Sequence, residues 1–146
     1  MEEIGYFSEL LKKELTKEEK IRYVYNQIIK GNFSYLPSSL AENNVIKVPY
    51  VGDIDKMGFE VNYLYIPKDA KIKKHKHIYD IEKYTLLQGN LVVNEEDVKE
   101  NYCLIDEEHD IDYTDEITIV ETYKISKELL DKYKNKEEKE LVLCAN

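Results

Sequence analysis

Tryptophan is missing altogether from this 146-residue chain. Cysteine, histidine, proline and glycine are scarce, at two, three, three and five residues. The two cysteines, Cys103 and Cys144, are too few for a disulfide framework, and a reducing cytoplasm is the expected home. No apolar run approaches the roughly 18 residues that a membrane span requires. The opening MEEIGYFSEL is acidic and lacks a basic region followed by an apolar stretch, so no signal peptide is expected. Basic residues are outnumbered 21 to 30, for a net charge of −9. That balance argues against nucleic acid and anionic membranes as partners, because both need a basic face that displaces counterions.

What is present reads as one globular domain. Apolar residues make up 42% and charged residues 35% of the chain, enough to bury a core. There is no internal repeat and no flexible linker. Residues 1–40 read as an N-terminal helical segment packed on the remainder of the chain. Ile4, Phe7, Leu10 and Leu11 repeat at helical spacing, and TKEE at 16–19 is a capping-box pattern with Thr16 as N-cap. Ile21, Val24, Tyr25, Ile28 and Ile29 then form an apolar stripe that Gly31-Asn32 ends. The stripe fits either a dimer seam or a face packed on the rest of the domain.

From about residue 45 the period switches to that of strands. VIKVPYV, FEVNYLYIP, KYTLLQ, NLVVN, NYCLI and EITIVETYKI are short strand candidates with turn or acidic residues between them. Strands in succession without intervening helices predict an antiparallel sandwich or barrel. SKELLDKYKNKEEKEL predicts a short closing helix, so residues 41–146 form a mainly β domain with a C-terminal helix.

Two of the three histidines sit one residue apart in HKHIYDIEKYTLLQG, residues 75–89. Alternate side chains of a strand share a face, so His75 and His77 are positioned to share a metal. Glu82, at the start of the next strand, can swing alongside them. Two imidazoles and a carboxylate suit a divalent transition metal such as iron, manganese, nickel, cobalt or zinc. By the same parity Lys71 and Lys73 would face the cavity side and hold an anion, or else form a solvated edge. Tyr84 shares a face with Glu82 and is a pocket candidate. Glu107, Glu108 and Asp110 read as a solvated acidic turn rather than a calcium loop.

The spacing His75-x-His77, Glu82, Gly89 resembles the first motif of the cupin superfamily. Asp69 stands where that pattern often has a glycine. The resemblance covers about residues 59–125 and implies a jelly-roll β-barrel of cupin type. It also implies a second motif that supplies one more histidine. Only His109 is available for that role, although Leu104 and Asp106 replace its Pro-x-Gly and Tyr113 its asparagine. The implied site is one divalent transition metal on His75, His77, Glu82 and His109, with Tyr84 contacting a bound molecule or assisting proton transfer. Cupins are commonly dimeric, so a homodimer is expected. The function so implied is binding, and transformation, of a small oxygen-rich anionic metabolite by a dioxygenase, isomerase or lyase-type reaction. A non-catalytic sensing module and an accessory partner-binding protein remain as alternatives.

Overall fold

The computed structural model describes residues 15–76, 80–105 and 108–131. Eleven strands among them form two antiparallel sheets, ordered β1-β3-β4-β11-β6-β9 and β2-β5-β10-β7-β8. In the first sheet the strands are β1 (Ser34–Tyr35), β3 (Ile46–Asp53), β4 (Phe59–Ile66), β6 (Asp80–Gln88), β9 (Asn101–Ile105) and β11 (Thr118–Ser126). In the second they are β2 (Ala41–Glu42), β5 (Lys71–His75), β7 (Leu91–Val93), β8 (Glu96–Val98) and β10 (His109–Ile111). The chain is mainly β, as expected, and takes the double-sheet form of a jelly roll rather than one continuously bonded barrel.

Inward side chains from both sheets meet in one core. Leu64, Ile66, Tyr84, Leu104 and Val120 from the first sheet pack with Ile72, Leu91, Val93, Val98 and Ile111 from the second. β4 and β11 are buried on both faces, because a helix covers the far side of their sheet. That helix, α1 (Lys17–Lys30), starts with the expected capping box. Thr16 N donates to Glu19 Oε1 at 2.9 Å and Glu19 N to Thr16 Oγ1 at 3.2 Å. It ends at Gly31, left-handed with φ 79°.

Val24 of α1 is fully buried against Val48, Tyr63, Leu87 and Ile119, with Ile21 and Ile28 beside it. Burial of one such side chain contributes about 1.5–3 kcal/mol. The apolar stripe therefore goes to the sheet, leaving Ile29 as its well-exposed member at 82%. Lys20 and Glu121 form a buried ion pair at 3.0 Å under the same helix. Tyrosines fill much of this layer, with Tyr23 set edge-on to Tyr50 and Tyr25 edge-on to Tyr65.

Two shorter helices complete the described chain. GDIDKMG holds α2 (Ile54–Met57), which Asp53 caps by accepting from Asp55 N and Lys56 N. α3 (Lys127–Asp131) falls within the segment expected to be helical. The helical pattern around Ile4–Leu11 and the rest of the tail lie outside the described residues.

Candidate functional site

The two sheets each contribute half of the site. In the first, the register sets Glu82 of β6 opposite Lys124 of β11, and Tyr84 opposite Thr122, all on the inner face. In the second, His109 of β10 is directly opposite His75 of β5. Across the sandwich these side chains touch. The His75 and His109 rings lie 4.1 Å apart, His109 Nε2 is 3.5 Å from Glu82 Oε1, and Tyr84 meets the His109 ring at 5.9 Å. His109 and Glu82 are buried, at 1% and 3% exposure. The structure puts His109 on a strand, inside. His77 lies outside the described residues.

The environment prepares these groups differently. His75 Nδ1 is 2.7 Å from Lys73 O. A carbonyl only accepts, so Nδ1 carries the proton and Nε2 keeps its lone pair. Burial pushes the His75 pKa down, and its neighbours His109 and Lys124 act in the same direction, against the Lys73 hydrogen bond and Glu82. Its neutral form is favoured, which is the form that ligates metals. Burial pushes the Tyr84 phenol well above its ordinary range, helped by the charge of Glu82 and a hydrogen bond to it. Tyr84 therefore keeps its proton and donates it toward the carboxylate. Lys124 Nζ stands 3.9 Å from Glu82 Oε2.

The donor chemistry fits a transition metal. The His109 imidazole lies against both the His75 ring and Glu82, the His75 ring is oriented from behind by a backbone carbonyl, and His109 Nε2 and Glu82 Oε1 face each other at 3.5 Å. Two ligands about 2.1 Å from one ion at a tetrahedral angle would be about 3.4 Å apart. Among the described residues, however, no three such side chains converge closely enough to hold an ion as they stand.

A cavity of about 180 Å³ opens beside this cluster and is lined by His75, Glu82 and Tyr84. Leu36, Leu40, Leu64 and Ile72 form its apolar wall, and Lys47, Asn62, Thr122 and Lys124 its polar one. The pairing of β5 with β10 decides between the two readings of Lys71 and Lys73, against the cavity face. From His109 to Ile111 β10 advances two residues, while the paired positions on β5, His75 and Ile72, are three apart. This bulge breaks the strict alternation. Ile72 and His75 both reach the cavity, and neither Lys71 nor Lys73 lines it. Lys71 instead sits over the Tyr113 ring at 5.0 Å, and Lys73 Nζ donates to Ser38 O at 3.1 Å. The cavity's lysines, Lys47 and Lys124, escaped the sequence reading. The parity of Lys124 with Thr122 in EITIVETYKI was their one visible signal, and its inward direction depends on strand register.

No family model and no curated protein sequence matches the chain. Its structure is similar to solved ones. A candidate acetylacetone dioxygenase from Methylibium petroleiphilum PM1 is 12% identical with TM-score 0.57, over 68% of this chain and 74% of that one. A predicted oxalate decarboxylase from Thermotoga maritima is 18% identical with TM-score 0.55, over 65% and 92%. A cupin-like protein from Thermotoga maritima MSB8 is 14% identical with TM-score 0.55, over 77% and 95%. At such identities the likeness speaks of architecture. The chain has the cupin fold, in agreement with the motif that runs from His75 to Gly89.

Proposed function

We propose that this protein binds a small oxygen-rich metabolite beside a divalent transition metal and transforms it. The observation that carries the reading is the meeting of His75, His109 and Glu82 from both sheets, with His75 and Glu82 lining the cavity and His109 against them. His77, two residues beyond the end of β5, is the fourth ligand that the motif implies. A bound metal would supply Lewis-acid polarisation or, if redox-active, electron transfer.

The chain's own side chains do the rest. Lys73 O fixes the His75 ring through Nδ1. Tyr84, its phenol held protonated, orients Glu82 by a hydrogen bond and can return a proton to a bound molecule at the cavity wall. The Leu36, Leu40, Leu64 and Ile72 wall keeps water from one side. About 180 Å³ is below the ~300 Å³ at which drug-sized pockets begin, so the ligand is a small metabolite.

The test is metal content followed by turnover. Anaerobic reconstitution with iron, manganese, nickel, cobalt or zinc should give close to one metal per chain, sharply reduced in Glu82→Ala and His109→Ala. Each loaded form is then assayed with hydroxy acids, keto acids and diketones while oxygen uptake and products are followed. A folded protein that takes up no metal refutes the reading. Metal and ligand binding with no turnover would leave a sensing module.

A further inference from the structure

We propose that Lys47 and Lys124 form an anion-recognising end to the cavity and that the ligand it selects is a short carboxylic acid. This rests on the cavity being the ligand site, as proposed above, and adds which chemical group is recognised and by what. β11 runs between β4 and β6, so Lys124 is registered between Glu60 and Glu82. Lys47 is registered opposite Leu64 on β4. Both lysines line the cavity.

The decisive point is which polar groups are already engaged. Glu60 accepts from Ile54 N at 3.0 Å and from Asn62 Nδ2 at 2.6 Å, and Thr122 Oγ1 donates to Asn62 O at 3.3 Å. Among the described residues the two ammonium groups have only ion-pair contacts, Lys47 to Glu60 at 3.7 Å and Lys124 to Glu82 at 3.9 Å. Both distances exceed hydrogen-bond range, so these cations retain N–H donors for an incoming anion. A lysine ammonium is a point charge that donates to a carboxylate oxygen without a fixed fork. The carbon skeleton would lie along Leu36, Leu40, Leu64 and Ile72, with its other oxygens toward His75 and Glu82. The volume equals that of about six waters, which restricts the ligand to a short acid.

Succinate, its neutral diamide and inorganic phosphate are the probes, titrated calorimetrically into wild type, Lys47→Met and Lys124→Met. Metal content is measured on the same samples. Succinate should bind wild type, the diamide at least about tenfold more weakly, and each lysine variant should lose about tenfold or more for succinate. Lys47→Met is the cleaner variant because it does not touch Glu82. Retained metal with lost succinate binding there supports the assignment. Equal affinity for succinate and diamide, or unchanged succinate affinity in both variants, overturns it while leaving the metal reading intact. Phosphate bound in preference to succinate and lost in the variants overturns the carboxylate class. Succinate binding that depends on the lysines in a protein holding no metal sustains this inference and refutes the metal.

Discussion

Gly89, the last residue of the motif, gives a clean measurement of what that motif demands sterically. It has φ +90°, and a Cβ there would lie 2.5 Å from Ile117 O, 2.5 Å from Thr118 Oγ1 and 2.7 Å from Thr118 Cα. Two of these atoms are backbone and cannot swing away. The third holds the turn, since Thr118 Oγ1 accepts from Asn90 N at 3.2 Å and lies 3.1 Å from Asn90 O. Gly31 is the control. Its φ is nearly the same at +79°, with nothing within 4 Å of its Cβ position. Gly31→Ala should therefore cost about 1 kcal/mol, from the left-handed backbone alone. Gly89→Ala adds overpacking of about 1–3 kcal/mol, for a total of about 2–4 kcal/mol. At about 2–4 °C per kcal/mol in a chain of this size, the Tm falls by about 4–16 °C against about 2–4 °C for the control. Urea and thermal unfolding followed by circular dichroism read both. A difference below about 0.5 kcal/mol between the two variants would refute the close-approach argument.

Three further outcomes are expected. Lys20→Ala removes the cation that faces Glu121 at 3.0 Å in a buried site and should cost about 3–5 kcal/mol, whereas Lys20→Met with Glu121→Leu should come within about 1–2 kcal/mol of wild type; urea midpoints that barely move in the single variant would mean a hydrated pair. Burial raises the Glu60 pKa, but the Ile54 N–H, the Asn62 amide and the lysine charges outweigh it and bring the net value below the ordinary 4.5. A lowered carboxylate pKa contributes stability above 4.5 that is lost as pH falls through the folded value, so Glu60→Gln should be less stable than wild type at pH 7 and indistinguishable once the pH lies well below that folded value. A gap that persists into acid would show that the contribution is not ionic. Lys71→Ala and Lys73→Ala, which lie off the cavity, should leave succinate affinity within about twofold, and a tenfold loss in either would restore the alternation reading.

Much of this protein was legible one segment at a time. The Thr16–Glu19 capping box, the Gly31 stop and the alternation in FEVNYLYIP and EITIVETYKI are local signals, because caps and strand periodicity depend on neighbours in sequence. The spacing from His75 to Gly89 likewise pointed to the fold. What local signals could not carry was anything set between strands. β1, β2, β8 and β10 have two or three residues each, too few for a periodic pattern, and they exist because a longer strand or the opposite sheet offers them partners. The bulge in β5 turned Lys71 and Lys73 away from the cavity while keeping His75 in it. Only the pairing with β10 reveals that extra residue. Lys47 and Lys124 come from strands 77 positions apart in a chain whose lysines are spread throughout. Their approach to Glu60 and Glu82 follows from the β3-β4-β11-β6 order, a property of the assembled sheet and of no single stretch of residues.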